Sequence, residues 1–391
     1  MGTRRLRVAA QFAAAGAALA ASLAACSSGS SGGGQPANEI TVSSSECGGS
    51  WRVPGPGWHT FEINNQGTTG AEIDLVDPAD GAIYAEVENT GPATVTPMTL
   101  DIGSGKYAFL CSFSDYDPQQ GAVVTVPGHA TGTPAILPIT YNDLIPLAKK
   151  YVTEEEVAIK VLAPETAALS AAVESGNLAT ARRDWLTAHL QYETLGAAYD
   201  AFGDFDDEVD GRADALGVNS PKWTGFYRLE YGLWHGQSVK ELTPVAATLS
   251  SDVNALLASW PAQQIPLLDV GLRTHEILEN ALEFQLTGHD DYGSGTTLAT
   301  TVANIAGTRE LLSLLRPLLT PRYPALPAIY TGLTQFQSLL EQQRRPNGTW
   351  IPVSALPVRV RQAIDAACGQ LDQELSPIAS IAEPRNTANA F

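Results

Sequence analysis

Basic side chains are scarce in this chain: 23 Lys and Arg stand against 42 Asp and Glu, giving a formal charge of −19 at pH 7. Three of those basic residues, Arg4, Arg5 and Arg7, lie in residues 1–25, which hold no acid. Without that segment 20 basic side chains face 42 acidic ones, a formal charge of −22. Such a surface argues against nucleic acid or anionic lipid as partners held by charge. It is compatible with solubility in the cell envelope and with attraction of cations. Catalytic signatures are also missing. The chain has no H-E-x-x-H, because Glu279 rather than a second His follows His275 by four, and it has no G-x-S-x-G. Met98 is the only Met after Met1, and no His-x-x-x-Met loop follows Cys111, which argues against a type 1 copper centre. Cys368, set in Ala366-Ala367-Cys368-Gly369, reads as core packing.

No charge falls between Arg7 and Cys26, and the run ends in Leu23-Ala24-Ala25-Cys26. This predicts an export signal closing in a lipobox, with Cys26 lipidated and the protein anchored to the outer face of the cell membrane. A transmembrane anchor is the rival reading, but the apolar run is short and is broken by Gln11 and Gly16. Thr3-Arg4-Arg5 adds a faint twin-Arg signal. The expected organisation is a lipoprotein signal peptide over 1–25 and a flexible tether over 26–38, including the Ser/Gly run Ser27 to Gln35. A β sandwich over 39–128, a linker over 129–139 and an all-α domain over 140–380 follow.

The β assignment rests on alternation of apolar and polar residues in Glu39 to Val42, His59 to Ile63, Ala71 to Leu75, Lys106 to Leu110 and Ala122 to Val126. About seven short strands in this length make a sandwich. After about Ile139 the period becomes 3.6, with eight or so helices and Thr153-x-x-Glu156 read as a capping box. Cys47 and Cys111 are most simply a disulfide in an exported domain. Glu72 and Asp74 share one face of a strand, as do Glu86 and Glu88, so paired oxygen ligands for a metal are also available there.

The line Trp223 to Gly236 holds five aromatics and three Gly. Helical spacing places Tyr227, Glu230 and Tyr231 on one face. Upstream, His189 and Glu193 are four apart on one helix, and Asp206, Asp210 and Arg212 punctuate an acidic run. Downstream come Thr274-His275-Glu276 and Thr287-Gly288 with Tyr292-x-Ser294; His275 and Glu279 offer a further helical pair. In this order the segments resemble the imelysin/EfeO group of periplasmic proteins, whose signature reads G-x-H-x-x-E followed by Leu-Trp. Gly225, Glu230 and Leu233-Trp234 match, whereas Tyr227 stands in place of the His.

The resemblance implies a cupredoxin-like N-terminal domain, with Cys47, the acidic pairs and Cys111 as metal ligands or the cysteines as a disulfide. It also implies an α-domain metal site of Glu193, Asp206, Asp210, Tyr227, Glu230 and Glu276, with Arg212 orienting acids. Oxygen ligands favour ferric iron, with copper or zinc as other candidates. Tyr227 either ligates, once a metal displaces a proton with a pKa near ~10, or packs against Trp223 and Trp234. The function implied is capture of iron outside the membrane and delivery to a membrane iron permease, with a haem peroxidase of the same uptake system as a further partner. Two alternatives stand beside it: a metallopeptidase-like enzyme of imelysin type, and a metal-free lipoprotein binding a polysaccharide or a partner protein.

Overall fold

The computed structural model describes residues 38–385 apart from positions 54, 115 and 215. The signal peptide over 1–25, the lipobox at Cys26 and the tether up to residue 37 lie outside the described residues.

Among the described residues nine strands form two facing sheets. They are β1 (Glu39–Ser43), β2 (Glu46–Cys47), β3 (Gly57–Asn65), β4 (Ala71–Val76), β5 (Ile83–Thr90), β6 (Val95–Ile102), β7 (Gly105–Phe113), β8 (Gln119–Gln120) and β9 (Val124–Val126). One sheet runs β2-β1-β3-β6, with β1 and β3 parallel, and the other runs β5-β4-β7-β8, with β9 paired to β7. Period-two burial fills the space between them: Phe61 and Ile63 of β3 and Leu100 and Ile102 of β6 meet Ile73, Leu75 and Phe109. Trp51 packs edge-on against Phe61 and Phe109 and donates its indole N–H to Ala122 O at 2.8 Å. Cys47 and Cys111 are joined in a disulfide that ties one sheet to the other. β4 breaks the alternation. Asp74 is buried on the face opposite Ile73 and Leu75, because the end of the chain lies over it.

The chain stays on this domain after β9: Thr133 N–H donates to Asp101 O at 2.7 Å, and Ile136 bridges Ile83. Eleven helices follow among the described residues: α1 (Tyr141–Glu174), α2 (Leu178–Glu193), α3 (Tyr199–Phe202), α4 (Asp204–Asp210), α5 (Gly225–Trp234), α6 (Val239–Ser259), α7 (Asp269–Asn280), α8 (Thr297–Leu319), α9 (Leu326–Glu341), α10 (Val358–Leu375) and α11 (Pro377–Ile381).

Thr153 does not open a helix. α1 begins twelve residues earlier, where both the backbone N–H and the hydroxyl of Thr140 donate to Asp143 Oδ2 at 2.8 and 2.7 Å. The Thr153 hydroxyl instead donates one turn back to Lys149 O, as a helix-interior Thr does. Trp185, Tyr192, Phe202, Phe226 and Trp260 fill the helical core, and Trp185 Nε1 donates to Phe226 O at 2.9 Å, holding α2 against α5. α7 continues into a π-helical turn, Ala281–Gln285, a rare geometry that recurs at functional sites. Beyond α11 the chain returns to the β domain, where Arg385 N–H donates to Ile139 O at 2.8 Å.

Candidate metal centre

Four segments converge inside the helical domain. α2 contributes His189 and Glu193, spaced one turn apart. α4 contributes Asp206 and Asp210, α5 contributes Tyr227, and the loop before α8 contributes Asp290. α5 approaches α4 closely enough that a Cβ on Gly225 would lie 2.3 Å from Val209 O, and Gly225 has φ +84°, so only glycine fits there without strain.

His189 Nε2 lies 3.1 Å from Glu193 Oε1 and 3.3 Å from Asp210 Oδ1. One ligand atom from each of these three side chains falls within 4.8 Å of the others, the one such trio among the described residues. Neither ring nitrogen of His189 makes an aligned hydrogen bond, and Asp210 Oδ1, Asp290 Oδ1 and Asn304 Oδ1 are likewise buried without a hydrogen-bond partner. Buried polar atoms are otherwise nearly always partnered. Carboxylate and amide oxygens that converge without partners are what a cation needs, and His189 adds a lone pair once a metal displaces its ring proton. The donor set, one imidazole among carboxylates and a phenol, suits a hard or borderline metal. Tyr227 donates from its hydroxyl to Asp290 Oδ2 at 3.0 Å and, more distantly, to Glu193 Oε1 at 3.5 Å. Asn304 donates to Glu193 Oε2 at 2.8 Å. A cavity of about 170 Å³ opens beside the trio, lined by Asp206, Asp210, Arg212, Tyr227 and Asn304 among others.

Burial opposes a charged ring at His189, but Asp210 and Glu193 outweigh it and carry its pKa well above the usual histidine range. Burial pushes the Asp210 carboxyl up, with His189 pulling the other way. Burial also raises Asp206 to about 6, against a hydrogen bond from Tyr192, and Asp290 to about 6, helped by repulsion from Glu193. Tyr227 is held protonated, by burial first and then by Asp210, Asp290 and Glu193. His189⁺ therefore serves as the cluster's own counter-ion.

Of the residues the sequence singled out, Glu193, Asp210 and Tyr227 meet at the cluster, and Asp206 joins through Tyr192, whose hydroxyl donates to Asp206 Oδ1 at 3.0 Å. Glu230 is buried on the flank, where Oε1 accepts from Ser294 N–H at 2.8 Å, and burial raises it to about 7. Glu276 is a correction: the side of α7 that lines the cavity carries Ile277 and Asn280, and Glu276 is paired with Arg273 at 2.6 Å instead. The His275/Glu279 pair belongs to no trio of metal-capable side chains among the described residues; both act electrostatically on Asp372. Arg212 stacks its guanidinium 3.5 Å from the centre of the Phe284 ring and pairs with Asp214. The sequence reading did not include His189, Asp290 or Asn304 in the candidate site, though all three stand at the cluster. His189 was visible as the i, i+4 partner of Glu193, whereas nothing local marks Asp290 or Asn304.

In the β domain, Glu72 and Asp74 of β4 stand beside Glu86 and Glu88 of β5. Cys47 and Cys111 form the disulfide that is the simplest reading of the sequence, so the alternative of thiolate ligands beside these acids is corrected.

These features define a two-domain protein whose helical half encloses a buried cluster of acids around one histidine. The chain belongs to the imelysin family, whose profile matches residues 149–378. It is similar to the iron uptake system component EfeO of Yersinia pestis, with 28% identity over 316 residues, 79% of this chain and 82% of the relative. The EfeO of Escherichia coli strain K12 is 25% identical over 316 residues, 80% of this chain and 83% of the relative. The chain is thus EfeO-like.

Proposed function

We propose that this chain is a component of an iron uptake system that captures ferric iron outside the cell membrane. The observation that carries the reading is the trio His189, Glu193 and Asp210, whose ligand atoms converge within 4.8 Å, with the His189 ring nitrogens and Asp210 Oδ1 buried without an aligned hydrogen bond. Tyr227 and Asp290 complete the oxygen-rich wall, Asp206 and Glu230 flank it, and the EfeO relatives supply the uptake context. A zinc hydrolase needs three protein ligands and an open position for a water nucleophile beside a base. A single imidazole among acids suits capture better than hydrolysis. Copper and zinc are competing ions. Delivery to a membrane iron permease, cooperation with a haem peroxidase and anchoring through lipidated Cys26 belong to the same reading. So does a second cation site in the β domain at Glu72, Asp74, Glu86 and Glu88. There Asp74 Oδ1 is buried without a hydrogen-bond partner, and burial, then repulsion from Glu86 and Glu88, raises the carboxyl to about 8.

The test is titration of the mature chain with Fe(III), Cu(II) and Zn(II), repeated with His189→Ala and Asp210→Asn. Expected is ferric binding tighter than about 10 µM, roughly −7 kcal/mol, weakened about a hundredfold in either variant. Asp210→Asn breaks the pair with His189, so chemical denaturation accompanies the titration and affinities are compared in folded chains. Absence of such binding, or binding indifferent to both substitutions, would sink the proposal.

A further inference from the structure

The four carboxylates on β4 and β5 already hold a cation, and it comes from the far end of the chain. Arg385 lies 297 residues beyond Glu88 and donates from Nη2 to Glu88 Oε1 at 3.0 Å. The same nitrogen is 3.3 Å from Glu86 Oε2, while Nη1 contacts Glu72 Oε1 and lies 3.9 Å from Asp74 Oδ1. The guanidinium is mostly buried, and its backbone N–H is fixed to Ile139 O. Glu383, Pro384 and Arg385 together roof a cavity of about 310 Å³ whose floor includes Glu72 and Asp74.

The charges do not balance. One guanidinium faces four carboxylates, and the shortfall shows at Asp74, where Oδ1 lacks a hydrogen-bond partner. Arg385 is an imperfect occupant, because its Nη1 stands 3.9 Å from Asp74 Oδ1, beyond hydrogen-bond distance. A di- or trivalent metal would neutralise more of the same charge from a smaller volume, and oxygen ligands of this kind suit it. Metal and guanidinium need the same oxygens, so they cannot share them fully. We propose that Arg385 is a built-in competitor for the β-domain carboxylates, so that a metal entering there expels the C-terminal segment after α11 from its seat. That segment bridges the two domains, so its release would report loading of the β domain to the helical one. The inference rests on the β-domain reading given under Proposed function.

The experiment uses the full mature chain carrying both His189→Ala and Asp210→Asn, which removes two of the three side chains of the helical trio, and measures binding of citrate-buffered Fe(III) and of Zn(II). Amide hydrogen exchange over residues 377–385 is followed in parallel. Expected for Arg385→Ala is affinity raised tenfold or more at the remaining site, with Arg385→Lys close to the parent because the charge is kept. Metal should speed exchange over 377–385 in the Arg385 chain, and Glu86→Gln/Glu88→Gln should speed it without metal. If Arg385→Ala binds no tighter while Glu86→Gln/Glu88→Gln abolishes binding, the site stands and the competition is overturned. If neither change affects metal binding, the β-domain metal reading fails and takes the competition with it.

Discussion

The hydroxyl of Tyr227 donates to Asp290, while its ring packs against Tyr292 and, edge-on, His189. The two sequence-based readings of this residue, ligand and packing, therefore describe two ends of one side chain. The body sits among Trp223, Ala213 and Tyr292, and the oxygen reaches the acids. Tyr227→Phe keeps the body and removes the oxygen. Expected is a loss of about 1 kcal/mol of stability, since Asp290 forfeits a donor, seen as a lower denaturant midpoint. Ferric affinity should fall about tenfold, roughly 1.4 kcal/mol, and zinc affinity less, because a phenolate favours the harder ion. Equal losses for both metals would return Tyr227 to a packing role alone.

At the level of elements, the junction of α4 and α5 sets the site, because one carries Asp210 and the other Tyr227. Gly225→Ala would place a methyl against Val209 O in a left-handed backbone conformation. Expected is destabilisation of about 2 kcal/mol or more, measured by denaturant unfolding, with metal affinity falling as the helices spread. Wild-type affinity in a folded Gly225→Ala chain would show that this contact does not position the ligands. Much of the element order was legible beforehand. Alternation exposed β3, β4 and β7, and the 3.6 period exposed α5. The start of α1 was not, since Thr153-x-x-Glu156 mimics a cap that Thr140 and Asp143 supply. Spacing within one helix also revealed Glu193 beside His189. It gave no hint of Asp290, which tertiary folding brings to Tyr227 across 63 positions, or of Arg385 over β4.

For the whole molecule, the excess of acids makes stability a function of pH. Glu155, buried on α1, is raised from 4.5 to about 8, by burial first, against a hydrogen bond from Tyr151. Glu230 and Asp74 are raised in the same direction. A carboxyl whose folded pKa exceeds its unfolded one favours the folded state while protonated. That contribution is complete below about pH 4.5 and is lost as pH rises through about 8. Metal-free protein should therefore lose stability as pH rises from about 4.5 to about 8, with Glu155 alone accounting for roughly a few kcal/mol. Glu155→Gln should flatten the profile in chemical denaturation, and an unchanged slope would contradict the assignment.

The imidazolium of His189, lodged between Glu193 and Asp210, bears on the life history of the molecule. Domains whose ligands merely repel one another fold only when metal arrives. Here a positive charge that quiets the acids is part of the polypeptide, so the helical domain closes around the cluster with side chains of its own. A cluster balanced from within needs no bound ion for its acids to be buried side by side.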